Sequence, residues 1–266
     1  MRDTIRKWLE DGVVDVFLGY KAVDGHVIPW IFKKSELDEL EAFCDGPYRY
    51  PLEKMAREIL QEDEHVRVGL LARQCTERAV TMLQALQALD PQRLWLLSRA
   101  CCASPGQTQV VCSALTSHET SADLTEEGIP EGTSIQALET LQSDEKFSRW
   151  MYEFEKCFKC YGCRDICPVC VCKECTLQDP ELIETGSLPT EVPLFHLVRA
   201  VHMAGRCIDC GLCEEACPAH IPLRALYQKV GRVVQDLYGY VPGQETVLLI
   251  WGPLSDGELE TLASGM

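Results

Sequence analysis

Cysteine is the residue type whose spacing points to chemistry in this chain of 266 residues. Sixteen cysteines are present, and eleven of them fall between residues 157 and 217. Eight of the eleven form two runs with the spacing C-x2-C-x2-C-x3-C, each followed by a proline. The first run extends from Cys157 to Cys167, and the second repeats it 50 positions later, from Cys207 to Cys217. Thiolates in this number and spacing predict iron–sulfur clusters.

The spacing also predicts which cysteines share a cluster. Three cysteines in one tight loop can bind three irons of a cubane, whereas the fourth, displaced by a turn before the proline, reaches the neighbouring cluster, as in two-cluster bacterial ferredoxins. We therefore predict two [4Fe–4S] clusters with crossed ligands. The ligands predicted for the first cluster are Cys157, Cys160, Cys163 and Cys217. The ligands predicted for the second cluster are Cys207, Cys210, Cys213 and Cys167.

Zinc is the competing interpretation, because pairs of cysteines two residues apart also occur in zinc ribbons. A structural zinc ion needs four ligands, in two such pairs. The chain instead repeats a set of four cysteines with identical spacing and a following proline. A zinc-binding regulatory module is kept as an alternative.

The cysteines outside the repeat gather at two places. Three follow the first run directly, and they are Cys170, Cys172 and Cys175. Four belong to the N-terminal part, and they are Cys75, Cys101, Cys102 and Cys112. They are either small buried side chains or ligands of a third cluster. The set predicted for a third cluster is Cys75, Cys101 and Cys112 with one cysteine of the 170–175 group. Cys44 has no companion in sequence and is interpreted as structural.

The elements that must position these cysteines follow from hydrophobic periodicity. Strands are predicted at 13–20, 26–32, 66–72 and 93–97, and Asp24-Gly25 is a typical hairpin turn. Helices are predicted at 1–10, 36–44, 52–61 and 76–89. A strand, a helix and a strand in succession predict at least one parallel crossover.

The cysteine runs are predicted to lie among helices. One helix leads into Cys157, a second occupies 193–205, and a third occupies 223–237. The expected fold class is α+β, a small α/β domain followed by a helix-rich ferredoxin-like domain with two [4Fe–4S] clusters. The predicted boundaries are 1–116 for the α/β domain, 117–145 for an acidic linker and helix start, 146–240 for the ferredoxin-like domain and 241–266 for a tail.

Charge and hydropathy exclude other classes of function. The chain has 41 acidic and 25 basic residues, a net charge of −16, which argues against nucleic acid or an anionic membrane as a partner. No apolar run is long enough to span a bilayer, and the first residues do not form a signal peptide. We expect a cytoplasmic protein without a direct membrane span, whose cysteines are thiols or metal ligands and not disulfides.

The paired motif, together with the segment Val66–Leu83, resembles the β-subunit family of the deazaflavin-reducing hydrogenases and formate dehydrogenases. In that family a similar strand ends in a cysteine and leads into a helix, as at Cys75, and a further cysteine follows the next strand, as Cys101 does here. The resemblance implies an electron-transfer subunit that associates with other oxidoreductase subunits. Those subunits are of the hydrogenase, formate dehydrogenase or heterodisulfide-reductase type.

Two departures from the family concern flavin. The threonine–proline that precedes the family's cysteine is Arg73-Gln74 here, and a glycine-rich flavin segment and a G-x-G-x-x-G motif are both missing. FAD is therefore not expected, and no catalytic residue is predicted. The expected function is an electron relay in a multi-subunit anaerobic oxidoreductase, between a hydrogenase or formate dehydrogenase module and a heterodisulfide-reductase-like or flavin module. A flavin-dependent, deazaflavin-linked β-subunit is the second alternative.

Overall fold

The computed structural model describes residues 1–46, 48–99, 140–179, 181 and 193–244. It confirms the predicted α+β class, with a small α/β part before the cysteine runs and helices around them. The strands are β1 (Val16–Val23), β2 (His26–Lys33), β3 (Phe43–Cys44), β4 (Val68–Ala72) and β5 (Leu94–Ser98). The α-helices of the N-terminal part are α1 (Arg2–Glu10), α2 (Leu52–Glu62) and α3 (Gln74–Ala85).

The sheet is mixed, with the strand order β2-β1-β4-β5 and with β3 beside β1. β1 and β2 form the predicted hairpin, whose turn residues Asp24 and Gly25 have φ of 49° and 81°, as a tight two-residue hairpin loop requires. β4 pairs in parallel with both β1 and β5. Since α3 lies between β4 and β5 in the chain, the predicted parallel crossover is confirmed.

One predicted helix is wrong. A 3-10 helix occupies Lys34–Ala42 where 36–44 was predicted as one helix, and Phe43 and Cys44 form β3. Phe43 pairs with Lys21 and is buried against Phe32 in the sheet core. Burial of this aromatic side chain and pairing with β1 therefore outweigh the local helical pattern.

Among the described residues, five α-helices lie in or beside the cysteine runs. They are α4 (Ser143–Glu155), α5 (Gly162–Asp165), α6 (Leu194–Met203), α7 (Leu212–Glu215) and α8 (Leu223–Tyr238). α4 precedes the first run and α6 the second, while the short helices α5 and α7 lie inside the runs. The helices predicted before Cys157 and at 193–205 and 223–237 are thereby confirmed. Within the described ranges no helix has the length and apolarity needed to cross a membrane.

Helix α3 joins the two halves of the molecule. Its residues Val80 and Leu83 are buried in the core around the sheet. Its residues Ala79 and Met82 are buried in the core that contains the cysteine runs. Neighbouring faces of one helix therefore pack against the two cores, so α3 is buried in both of them. Most of the predicted linker (117–145) and of the predicted tail (241–266) lies outside the described residues.

Candidate metal centre

The two cysteine runs have the same backbone conformation. Lys159 and Asp209, 50 positions apart, each have a φ of 53°. Tyr161 and Gly211, also 50 positions apart, have φ of 58° and 79° and each precedes a short helix. A positive φ is uncommon for residues other than glycine. Because it recurs at the same places in both runs, the two runs form equivalent tight loops. The repeat in sequence is therefore a repeat in structure.

Each loop also points a backbone donor at its first thiol. The amide of Lys159 donates to Cys157 Sγ at 3.4 Å, and the amide of Asp209 donates to Cys207 Sγ at 3.4 Å. Such N–H donors stabilise a thiolate and, where the sulfur binds a cluster, act on its reduction potential.

The first group of thiols draws on both runs. Burial raises the pKa of Cys163 to about 11, and the nearby thiols of Cys157, Cys217 and Cys160 add to the rise. Burial also raises the pKa of Cys157, and Cys217 and Cys160 again contribute. The structure thus brings the last cysteine of the second run to the first three cysteines of the first run.

The second group mirrors the first. Burial raises the pKa of Cys207 to about 12, with a contribution from Cys167. Burial raises the pKa of Cys210 and Cys213 well above its usual range, and Cys167 contributes to both rises. A cavity is lined by all four side chains of this group. The last cysteine of the first run therefore faces the first three of the second run.

The chemistry of both groups fits a cubane cluster. A [4Fe–4S] cluster takes four cysteine thiolates, and bound iron removes the proton that burial would otherwise keep on each thiol. Among the residues that the structure describes, no three His, Cys, Asp or Glu side chains are placed to hold one metal ion. In a cubane each thiolate binds a different iron, so its four ligands surround a wider space than the ligands of a single ion do.

The two groups differ in their access to solvent. Cys160 of the first group is exposed, and its neighbour Phe158 is 49% exposed. The cysteines of the second group are all buried or half-buried. The first group therefore reaches the surface, whereas the second is more enclosed and has Cys75 of α3 near its Cys210.

Basic side chains from the sheet domain hold both runs in place. Arg49 donates to the carbonyl oxygen of Cys210 and pairs with Glu215. On α2, Lys54 Nζ donates to the carbonyl oxygen of Asp165 at 2.7 Å. These contacts tie the N-terminal domain to a loop in each cysteine run.

The residues predicted for a third cluster are distributed differently. Cys75 is the second residue of α3, and its charge contributes to the raised pKa of Cys210, so it lies beside the second group. Cys170 and Cys175 interact with different arginines, Arg199 and Arg164. Cys172 is exposed. The other members, Cys101 and Cys112, and their neighbour Cys102 lie outside the described residues. Cys44, in β3, donates through its Sγ to the Ala42 carbonyl oxygen at 3.5 Å.

Sequence analysis missed the charged residues that contact the cysteine runs, and Arg199 is the most deeply buried of those named here. Arg199 of α6 is only 3% exposed, and its Nη2 donates to the carbonyl oxygen of Cys163 at 2.8 Å. A signal was available, because Arg199 interrupts an otherwise apolar segment between Leu197 and Val201. A charged residue on an apolar helix face needs an internal partner.

Comparison with known proteins extends this description. Residues 200–222, which contain the second run, match the 4Fe-4S binding domain family. Over 100 residues the chain is 40% identical to the β subunit of the F420-dependent formate dehydrogenase of Methanocaldococcus jannaschii, which covers 38% of this chain and 26% of that protein. Over 94 residues it is 43% identical to the β subunit of F420-dependent formate dehydrogenase 1 of Methanococcus maripaludis, covering 35% of this chain and 24% of that protein.

These matches cover part of each protein. The chain spans about a quarter of the length of the curated relatives that it matches. Both relatives are formate dehydrogenase subunits, so the resemblance that the sequence motifs predicted is confirmed over the matched segment. The chain thus carries a 4Fe-4S binding domain and is homologous, over about two fifths of its length, to the β subunits of F420-dependent formate dehydrogenases.

Proposed function

We propose that this chain is an iron–sulfur electron-transfer subunit of a multi-subunit oxidoreductase. The observation that supports the proposal is that Cys217 acts electrostatically on thiols of the first run, and Cys167 on thiols of the second. The match of residues 200–222 to a 4Fe-4S binding domain supports the same conclusion. A [4Fe–4S] cluster accepts and releases one electron at a time, and two neighbouring clusters provide a path for electrons.

In this proposal the chain binds two clusters through crossed ligands. The ligands of the first cluster are Cys157, Cys160, Cys163 and Cys217, and those of the second are Cys207, Cys210, Cys213 and Cys167. The protein holds the thiolates in two equivalent loops, donates amide hydrogen bonds to Cys157 and Cys207, and shields the second group of thiols from solvent more than the first. No residue of the chain is assigned a catalytic role.

The exposure of Cys160 and Phe158 suggests where electrons enter or leave. The first cluster is proposed to exchange electrons with a partner subunit at this surface, and the second cluster lies on the side of the N-terminal domain. Because both relatives are formate dehydrogenase subunits, a formate dehydrogenase module is the favoured partner. We also propose a hydrogenase module as an alternative electron donor. The proposed electron acceptor is a heterodisulfide-reductase-like or flavin module.

Two further parts of the proposal concern organisation and place in the cell. The domain division at 1–116, 117–145, 146–240 and 241–266 is retained, although α3 packs against both cores. A cytoplasmic location is proposed because reduced thiols are needed to assemble the clusters.

The first test is the metal and sulfide content of the full chain purified without oxygen. Two cubanes require about eight iron and about eight labile sulfide per chain. Stoichiometric zinc without labile sulfide would contradict the proposal and favour the zinc alternative. Bound flavin together with reduction of a deazaflavin by the isolated chain would favour the flavin-dependent alternative.

The crossed ligation is tested by two serine variants that remove one ligand each. Cys163→Ser should damage the first cluster and Cys167→Ser the second, so each variant keeps about half of the iron and the two differ in spectrum. Cys44→Ser is the matched control, because Cys44 lies in the sheet domain, and its iron content should equal that of the wild type. Loss of the first cluster alone in Cys167→Ser would show that the ligands are not crossed.

A third cluster is a separate proposal. Its ligands would be Cys75, Cys101 and Cys112 with one of the cysteines 170, 172 and 175, so that metal binding would also fix the two domains together. Iron content above about eight per chain that falls in a Cys75→Ser variant would support it. Iron content that saturates near eight, or a Cys75→Ser variant with unchanged iron, would contradict it.

A further inference from the structure

Arg199 is a buried cation without a carboxylate partner among the described residues. Its side chain is 3% exposed and its Nε has no hydrogen-bond partner in the described part of the chain. Among the described residues, the guanidinium group donates a hydrogen bond to the Cys163 carbonyl oxygen at 2.8 Å and contacts Cys170 Sγ at 3.9 Å. The ring of Tyr227 lies 5.8 Å from it. A carbonyl dipole, a neutral thiol and a ring do not balance a full charge in a dry interior, where an unpaired cation is strongly disfavoured.

The position of Arg199 shows which groups can balance it. The guanidinium interacts electrostatically with Cys163, a thiol of the first group, and with Cys167, a thiol of the second group. It also lines the cavity formed by the four thiols of the second group, beside Tyr227, whose buried hydroxyl has no hydrogen-bond partner among the described residues. One positive charge therefore faces both groups of ligands.

We propose that Arg199 is the shared counter-charge of the two iron–sulfur clusters and raises the reduction potential of both. This inference rests on the proposed function, since it requires both clusters to be present. A cubane with four thiolate ligands carries a net negative charge, and each reduction adds one more electron to it. A fixed cation at short range in a low-dielectric interior favours the reduced form, and net charge is one of the factors that set cluster potentials.

The repeat supplies a matched control. Arg149 lies 50 positions before Arg199, in helix α4, and occupies the corresponding place ahead of the first run. Its side chain is 34% exposed and forms an ion pair with Glu153 at 2.9 Å. Glu153 is also bound by Lys156 at 2.6 Å and keeps a partner when Arg149 is replaced. Arg149 is therefore a half-exposed arginine whose charge is already balanced.

The test compares Arg199→Gln, Arg199→Lys and Arg149→Gln in the full chain prepared without oxygen. Iron and sulfide are measured first, and the midpoint potentials of both clusters are then determined by redox titration followed by electron paramagnetic resonance. We expect Arg199→Gln to lower both potentials, Arg199→Lys to keep them close to the wild-type values, and Arg149→Gln to leave them unchanged.

Each outcome decides the question. Unchanged midpoint potentials in Arg199→Gln would overturn the proposal. An equal fall of the potentials in Arg199→Lys would also overturn it, because lysine keeps the positive charge and the effect would then come from the hydrogen bond with Cys163. If Arg199→Gln assembles no clusters, cluster assembly in Arg199→Lys would show that a positive charge is required at this position and would support the proposal. If Arg199→Lys also assembles no clusters, the proposal is overturned. Wild-type protein that holds no cluster would overturn the proposed function and this inference with it, whereas a wild type with both clusters and no shift in the variants would overturn this inference alone.

Discussion

Replacement of Glu53 by glutamine should stabilise the protein at neutral and alkaline pH. Glu53 lies in the first turn of α2, is 4% exposed, and its Oε2 has no hydrogen-bond partner in the described part of the chain. Burial raises the pKa of this carboxyl group from 4.5 to about 7, although its backbone hydrogen bond and the charge of Arg73 oppose the rise. The folded protein therefore favours the neutral acid, which glutamine imitates.

The sign and the size follow from the difference between the folded and unfolded pKa values. Between pH 4.5 and about pH 7 the unfolded chain releases the Glu53 proton and the folded chain retains it, so the free energy of unfolding falls as the pH rises. At about 1.4 kcal/mol per pH unit the full loss is about 3 kcal/mol above pH 7. Below pH 4.5 both states are protonated and the loss disappears.

The assay is thermal denaturation of the wild type and Glu53→Gln at matched cluster content across this pH range. A change of about 3 kcal/mol in a domain of this size shifts the midpoint by about 6–12 °C. We expect the variant to have the higher midpoint above pH 7 and a shrinking advantage towards about pH 5. Glu58, exposed on the same helix, provides the control, because a substitution at an exposed position should change the free energy of unfolding by no more than about 0.5 kcal/mol. A Glu53→Gln variant with the same midpoint as the wild type at every pH would refute the reasoning.

Three further predictions follow from packing and from the thiols. Met82 is fully buried where α3 meets the cysteine runs, so Met82→Ala should lower the free energy of unfolding by about 2–5 kcal/mol in denaturant titration and reduce the iron retained after purification. Gly69 lies in β4 against the ring of Phe17, and a Cβ atom at this position would lie 2.6 Å from that ring. Gly69→Ala should therefore lower the free energy of unfolding by about 1–3 kcal/mol in the same titration. Burial raises the pKa of Cys163 to about 11 and of Cys207 to about 12, so these thiols are protonated before iron binds and must release protons when it does. Iron incorporation into the cluster-free chain should therefore weaken as the pH falls from about 8 to about 6, and an increase would contradict the role of these thiols.

Local features of the sequence predicted the elements that depend on few residues. The hairpin turn Asp24-Gly25 and the helix that begins after Pro193 were recognised because turn and helix-end residues act within a few positions of themselves. The two cysteine runs were recognised for the same reason. Their repeated spacing also predicts that each fourth cysteine binds the cluster of the other run, and this crossed ligation stays a prediction.

Tertiary structure decided what depends on contacts between distant segments. Phe43 and Cys44 form a strand because they pair with β1 and because Phe43 is buried in the core. The residues around Phe43 do not reveal this pairing, because β1 is distant in sequence. Arg49 and Lys54 hold the cysteine runs across more than a hundred residues of chain. In the sequence, Arg199 is one charge in an apolar helix. Only the tertiary structure buries it beside a thiol of each group. Periodicity fixes which residues of a helix share a face, whereas burial and charge balance depend on what the rest of the chain places against that face.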